Sequence, residues 1–193
     1  KRIEEGLNKL EIKGDELDGI LITHEHSDHI KGLGVFSRKY EIPIYATPGT
    51  IAGIKESSSL GKMPEGLLHP IKADHPFQLG ELDVHPFAIS HDANEPSGYR
   101  IEQGGKSVAV ATDLGKYDDY TVKNLKNLDA ILLEANHDIR MLQVGKYPYY
   151  LKQRILGDRG HLSNENAGRL LCRLLHDNLK AVFLGHLSKE NNY

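Results

Sequence analysis

The chain has 193 residues, 39% of them hydrophobic and 26% charged, with a formal net charge of −3. That length suits one domain with a real core, and the composition excludes a disordered or fibrous chain. The charge makes no general case for nucleic acid or an anionic membrane, so any such partner has to be met by a local patch.

In chain order, Gly19-Ile20-Leu21-Ile22-Thr23 reads as a buried strand. A helix is expected from about Asp28 to Tyr40, a short strand at Pro43–Ala46 and a short helix from Pro48 to Lys55. Residues 57–66 read as a long loop. Leu82 to Ile89 alternates like a strand, and Pro86 within it predicts an edge position or a bulge. Tyr99–Glu102, the pair Gly104-Gly105 and Ser107–Thr112 predict a hairpin. Ala130–Leu133 is another buried strand, and residues 138–160 read as a second long loop. Ser163 is a good N-cap for a helix with Ala167, Leu170, Leu171, Leu174 and Leu175 on its apolar face, ended by Asn178. The lone cysteine, Cys172, lies among those leucines and is expected as a core thiol. Ala181–Leu184 is the last strand. No internal repeat or low-complexity linker divides the chain.

One regularity outweighs any boundary. Strand 19–23 runs into His24, strand 82–89 into His91, strand 107–112 into Asp113, strand 130–133 into Glu134 and strand 181–184 into His186. Sheet-based sites are built at the carboxyl ends of strands, and histidines scattered by chance would not track those ends. Eleven histidines in 193 residues is also unusually many. Five of them, at 24, 91, 137, 161 and 186, stand at strand ends or turns that aim them toward one cleft.

Thr23-His24-Glu25-His26-Ser27-Asp28-His29 concentrates three imidazoles and a carboxylate in six positions. Imidazole nitrogen and carboxylate oxygen suit zinc, manganese or iron. Histidines two apart cannot share a helix face, so the segment is expected to be a turn wrapped around a metal. This H-x-H-x-D-H run resembles the signature of the metallo-β-lactamase superfamily, and the likeness extends over nearly the whole chain. It implies an α/β fold of the αββα sandwich type and two divalent metal ions. It also implies that His24, His26 and His91 hold one ion, Asp28, His29 and His186 the other, and that Asp113 bridges them. Two such ions can share and acidify a water that then acts as a nucleophilic hydroxide, which places Asp28 among the catalytic residues as well. Histidine at the second motif position favours a hydrolase over the redox di-iron branch. The absence of a cysteine near Asp113 argues against the lactamase subclass with a cysteine ligand.

Two further segments narrow the branch. In RNA-processing members, a glutamate after one strand and a histidine before one helix together help protonate the leaving oxygen; the matching residues are Glu134 and His161. The segments THEHSDHIKGLG, SHDANEPSGY, LLEANHD, YPYYLKQRILGDRGHLSNENA and VFLGHLSKENN are similar to the YycJ/WalJ group, bacterial proteins described as 5′-end DNA exonucleases. That family begins about two strands earlier, with an Asp-containing motif that supports the metal site, and continues past the last residue. By this resemblance, residues 1–193 are expected to be a partial metallo-β-lactamase-like domain.

A phosphodiester substrate has separate support. Arg140, Lys146, Lys152, Arg154 and Arg159 lie between Asp138 and His161, interleaved with Tyr147, Tyr149 and Tyr150. Basic residues neutralise phosphates and aromatics stack on bases. Lys152, Arg154, Arg159, Tyr147 and Tyr149 are therefore candidate substrate contacts, with His137 as either a substrate contact or a turn residue. The basic and aromatic residues support a metal-dependent phosphodiesterase, and the likeness to the YycJ/WalJ group implies a 5′-to-3′ exonuclease with DNA as partner. The rivals are a thioesterase of the hydroxyacylglutathione type and a metal-binding regulator without turnover. No apolar run reaches the roughly 18 residues of a membrane span. A single cysteine cannot form a disulfide within the chain, which fits a reducing compartment, and the expected location is the cytoplasm.

Overall fold

Short apolar runs with period two have to bury one or both faces, and here they build two sheets. In a computed structural model, which describes residues 2–193, the first half of the chain runs α1 (Arg2–Lys9), β1 (Ile20–Leu21), α2 (Ser27–Ile30), α3 (Leu33–Tyr40), β2 (Ile44–Ala46), α4 (Pro48–Glu56) and β3 (Leu68–Pro70). Its three strands form a parallel sheet in the order β1-β2-β3. The second half runs β4 (Phe77–Leu79), β5 (Leu82–Ala88), β6 (Ser97–Gln103), β7 (Lys106–Ala111), α5 (Asp119–Leu125), β8 (Ala130–Glu134), α6 (Ile139–Val144), α7 (Tyr149–Leu156), α8 (Asn164–Leu174) and β9 (Ala181–Gly185). Its strands lie side by side in chain order, antiparallel from β4 to β7 and parallel from β7 to β9.

Alternation along each strand assigns the layers. Ile22, Ile44 and Ala46 face the helices of the first half and pack with Ile30, Leu33, Ile51 and Ile54. Leu21 and Tyr45, the residues between them in register, turn the other way and meet Val84 and Tyr99 of the second sheet. The Tyr99 hydroxyl donates to the Ile22 carbonyl at 2.7 Å, tying the two sheets together. On the far side of the second sheet, Ala109, Ala111, Ile131 and Leu133 pack against Val122 and Leu125 of α5 and Leu170 and Leu174 of α8. The result is the helix–sheet–sheet–helix sandwich the motif implied.

Local chemistry sets the helix starts. Thr47 caps α4, accepting from the Thr50 amide, and Pro48 at the first helical position fits the fixed φ of proline. Asp118, Asp138 and Ser163 cap α5, α6 and α8 in the same way. Four expectations need correction. The segment 138–160 is two short helices rather than a loop: Asp138 starts one and Pro148 precedes the other, with Arg140, Tyr149, Tyr150 and Arg154 exposed on them and Lys146, Tyr147 and Arg159 in the turns outside them. The helix expected over 28–40 breaks at Lys31-Gly32. Cys172 is exposed, because a period of 3.6 puts it opposite Ala167, Leu170 and Leu174. Helix α8 also ends at Leu174, before Asn178. Pro86 does sit beyond the reach of β4, which pairs only with Leu82–Val84, and there its carbonyl accepts from the Asp74 amide at 2.8 Å instead of from a strand. Helix α5 and strands β3 and β4 were not legible as elements, the strands being only three residues each.

Candidate metal centre

The carboxyl ends of β1, β5, β7, β8 and β9 converge, and each delivers a polar side chain. His24 follows β1 and is fully buried; His91 follows β5; Asp113 follows β7; Glu134 is the last residue of β8; His186 follows β9 directly. Asp113 and His186 both have left-handed backbone, φ 58° and φ 54°. Non-glycine residues adopt that region at a cost of about 1–3 kcal/mol.

Four groups of donor atoms each lie within 4.8 Å of one another around this edge: His24 with His26 and His91, His24 with His29 and Asp113, Asp28 with His29 and His186, and Asp113 with Glu134, His161 and His186. Nε2 of His91 lies 3.3 Å from Nδ1 of His26. Nε2 of His29 is 3.3 Å from Oδ2 of Asp113, and Nε2 of His186 is 3.3 Å from its Oδ1. A tetrahedral ion with bonds of about 2.0–2.1 Å separates its ligand atoms by about 3.3 Å, the spacing met three times here. Asp113 Oδ1 is also 3.7 Å from His91 Nε2, so this carboxylate reaches histidines of both proposed sets.

Nε2 of His24 and Oδ2 of Asp113 are buried with no hydrogen-bond partner in the protein. Leaving such groups unmatched costs about 1–3 kcal/mol each, and a cation between them removes the cost. The imidazoles are prepared for this. Burial first, and the neighbouring imidazoles second, hold the His24 pKa down at about 2. Burial also lowers His29 and His91, against the pull of Asp113. These rings therefore offer lone pairs rather than protons. Nδ1 of His91 donates to the Gly160 carbonyl at 3.1 Å, which turns Nε2 toward the cluster. Gly160 must be glycine, because a Cβ there would come within 2.2 Å of the Ile155 carbonyl oxygen and 2.3 Å of that of Arg154.

Glu134 organises the other side. Fully buried, it accepts from the amides of Leu114 and Leu162 through Oε2, at 2.8 and 3.0 Å. Its Oε1 takes Nδ1–H of His161 at 2.9 Å and of His186 at 2.8 Å. Burial pushes its carboxyl up, but the bonds from the two imidazoles outweigh that and hold it at about 2. For His186, burial works downward, and Glu134 and Asp113 overcome it to raise the ring. With Nδ1 engaged, His186 turns Nε2 to Asp113, whereas Nε2 of His161 is left for a ligand. Both rings line a cavity of about 340 Å³ with His26, Asp28, Asp113 and Arg154.

The expected substrate contacts divide. Arg154 reaches the cavity, its Nε bonded to Asp92, and Tyr147 lines a neighbouring pocket. Lys152 instead donates to the Gln143 carbonyl at 2.8 Å, away from the cleft. Arg159 bonds the His91 and Ala93 carbonyls and braces that loop. Tyr149 is exposed on α7 and lines neither cavity. His137 is buried, donates to Asn136 Oδ1 and bridges to Ser163, so it does not join the cleft with the other four histidines. Two residues outside the expected set belong to the site. Asp92 places Oδ1 3.5 Å from His91 Nε2, and Asn136 donates to the His186 carbonyl at 2.8 Å. Adjacency to His91 was the one sequence signal for Asp92.

Comparison with known proteins agrees with this geometry. A family described as the beta-lactamase superfamily domain matches residues 6–186. The chain is 43% identical over 192 residues to the exodeoxyribonuclease WalJ of Streptococcus pneumoniae serotype 2, covering 100% of this chain and 71% of that protein. It is 38% identical over 192 residues to the exodeoxyribonuclease YycJ of Bacillus anthracis, covering 100% of this chain and 72% of that one. Among solved structures, Zn(2+)-bound PqqB from Methylobacterium extorquens superposes with a TM-score of 0.71 at 20% identity, covering 90% of this chain and 63% of that one. No described helix is long and apolar enough to cross a membrane.

Proposed function

The chain belongs to the β-lactamase superfamily, and we propose that within it the protein is a metal-dependent phosphodiesterase, a DNA exonuclease working from the 5′ end. His24, His26 and His91 would hold one divalent cation, and Asp28, His29 and His186 a second, with Asp113 between them. Zinc, manganese and iron all suit these donors. Bound there, such cations supply Lewis-acid polarisation and a water acidic enough to attack at neutral pH.

The observation that carries the reading is the pairing of Glu134 with both His161 and His186. One carboxylate fixes two rings for different work. His186 points at the metal cluster. His161, bonded to Glu134 through Nδ1, lines the same cavity outside the two proposed ligand sets, which is the place for a donor to a leaving oxygen. When the phosphorus–oxygen bond breaks, water supplies the new oxygen on phosphorus and His161 hands its proton to the departing alkoxide. An alkoxide needs that proton, whereas a thiolate leaves without it, so the arrangement favours a phosphodiester over a thioester. Arg154 on the cavity rim offers the phosphate a cation. The named relatives are exodeoxyribonucleases, which supports DNA as the polymer.

The test is an assay of the purified protein loaded with Mn²⁺ or Zn²⁺ on 5′-labelled and 3′-labelled DNA, beside a glutathione thioester. Early release of the 5′ label as mononucleotide, abolished by chelation, is expected. Faster thioester cleavage with intact DNA would overturn the proposal.

A further inference from the structure

A second pocket, of about 470 Å³, opens beside the metal cavity and shares His161 and Arg154 with it. One wall is apolar. Leu151 and Ile155, one helical turn apart on α7, face it together with Tyr147. Helix α7 buries no residue fully, so this face is half-covered by the protein and free to take a ligand. The opposite rim is the turn after β9, with Ser188 and Lys189. The charges around the pocket balance, Asp92 and Glu190 against Arg154 and Lys189. A site for a bare polyanion would be one-sidedly basic. An apolar wall, a polar rim and one cation at the end nearest the metals suit a nucleoside whose phosphate lies toward Arg154.

We propose that this pocket holds the terminal nucleotide of the DNA strand, with its base against Tyr147, Leu151 and Ile155. The proposal rests on the exonuclease reading and deepens it. Its volume falls within the range of small-molecule sites, about 300–1,000 Å³, room for one nucleotide and too little for a duplex. His161 stands at the junction of the two cavities, and the residue that protonates the leaving oxygen must stand next to the leaving nucleotide. The nucleotide in the pocket is therefore the one that departs. If hydrolysis leaves the phosphate on the longer product, the departing oxygen is a 3′ oxygen, so the pocket occupant is the 5′-terminal nucleotide. The pocket thereby sets both the polarity and the unit of release.

The experiment has a binding arm and a kinetic arm on the full chain. Calorimetry compares thymidine 3′-monophosphate, which carries its phosphate on the side placed toward Arg154, with 1,2-dideoxyribose 3-phosphate, which lacks only the base. Base–aromatic contact is worth about 1–3 kcal/mol, so the nucleotide should bind about 5- to 150-fold more tightly. Leu151→Trp, which fills the pocket, should erase that preference. The kinetic arm uses an oligonucleotide with a normal or an abasic 5′ end. Tyr147→Ala should slow the normal oligonucleotide at least fivefold more than it slows the abasic one. A circular-dichroism spectrum and thermal melt matching the wild type show that the variant is folded. Equal binding of nucleotide and sugar phosphate by the wild type overturns the pocket. So does equal slowing of both oligonucleotides by Tyr147→Ala. A nucleotide preference in calorimetry without cleavage of either oligonucleotide overturns the exonuclease reading instead.

Discussion

The two halves of the metal centre are built in opposite ways. His24, His26, Asp28 and His29 come from one turn, held by its own backbone. The His29 and Ile30 amides both donate to the His26 carbonyl, at 3.0 and 3.1 Å, and Ile30 anchors the turn in the core. Glu25 ties it to the neighbouring loop by accepting from the Asn94 amide at 2.8 Å. The other half, His91, Asp113, Glu134, His161 and His186, is gathered from distant parts of the chain. It is held by strand register and by one buried carboxylate with four donors. A local half tolerates the loss of one side chain, because its scaffold is the backbone. The distributed half depends on Glu134 for both shape and chemistry.

The largest expected effect follows from that asymmetry. Glu134→Ala strands the buried Leu114 and Leu162 amides at about 1–3 kcal/mol each, so about 2–6 kcal/mol of stability should be lost. His26→Ala, in the turn, should cost far less. Urea denaturation of both variants in chelator compares them without metal linkage, and equal midpoints would falsify the distinction. Turnover should fall further in Glu134→Ala than in any single variant below.

Next come the two histidines that share Glu134. His161→Ala should retain full metal content and lose about 10²- to 10⁴-fold in turnover, the scale of a general acid. His186→Ala should lose about one metal equivalent along with its activity. Metal analysis must be made on the preparations used for kinetics. Metal loss in the first variant with full occupancy in the second reverses the two roles.

A smaller effect separates two cations of one helix. Arg154→Ala should flatten the salt dependence of DNA binding by about the share of one phosphate contact. Lys152→Ala should leave the slope unchanged, because its ammonium is bonded to Gln143 at 2.8 Å. If Lys152→Ala changes the slope as much, the strand runs along the outer face of α7.

The smallest effect concerns the helices behind each half. Asp118 caps α5 behind the distributed half and Thr47 caps α4 behind the turn. Alanine at either should cost about 1 kcal/mol at neutral pH. Hydrogen bonding from the Thr121 amide lowers the Asp118 carboxyl below its ordinary value of 3.8. Its capping contribution is therefore complete above that value and is lost as pH falls through the depressed one. Thr47 does not titrate. The penalty of Asp118→Ala should shrink in acid while that of Thr47→Ala persists, as read from denaturation at pH 7 and pH 3.

The sequence by itself determined the turn half of the site, because six consecutive residues carry its donors and a preceding apolar strand announces where it sits. The layering followed from the family likeness that the H-x-H-x-D-H run carries, while the period-two runs and helix caps marked single elements. The sequence pointed to His91, Asp113, Glu134 and His186 as polar residues at strand ends. What it did not contain is their convergence, which comes from strand register and from the left-handed backbone at Asp113 and His186. The sharing of Glu134 between His161 and His186, the diversion of Lys152 and Arg159 to backbone carbonyls, and the burial of His137 were likewise decided only by the tertiary structure. A side chain's charge is a property of its residue, but its partner is whichever atom the fold brings within about 3 Å, and residue spacing carries no record of that distance.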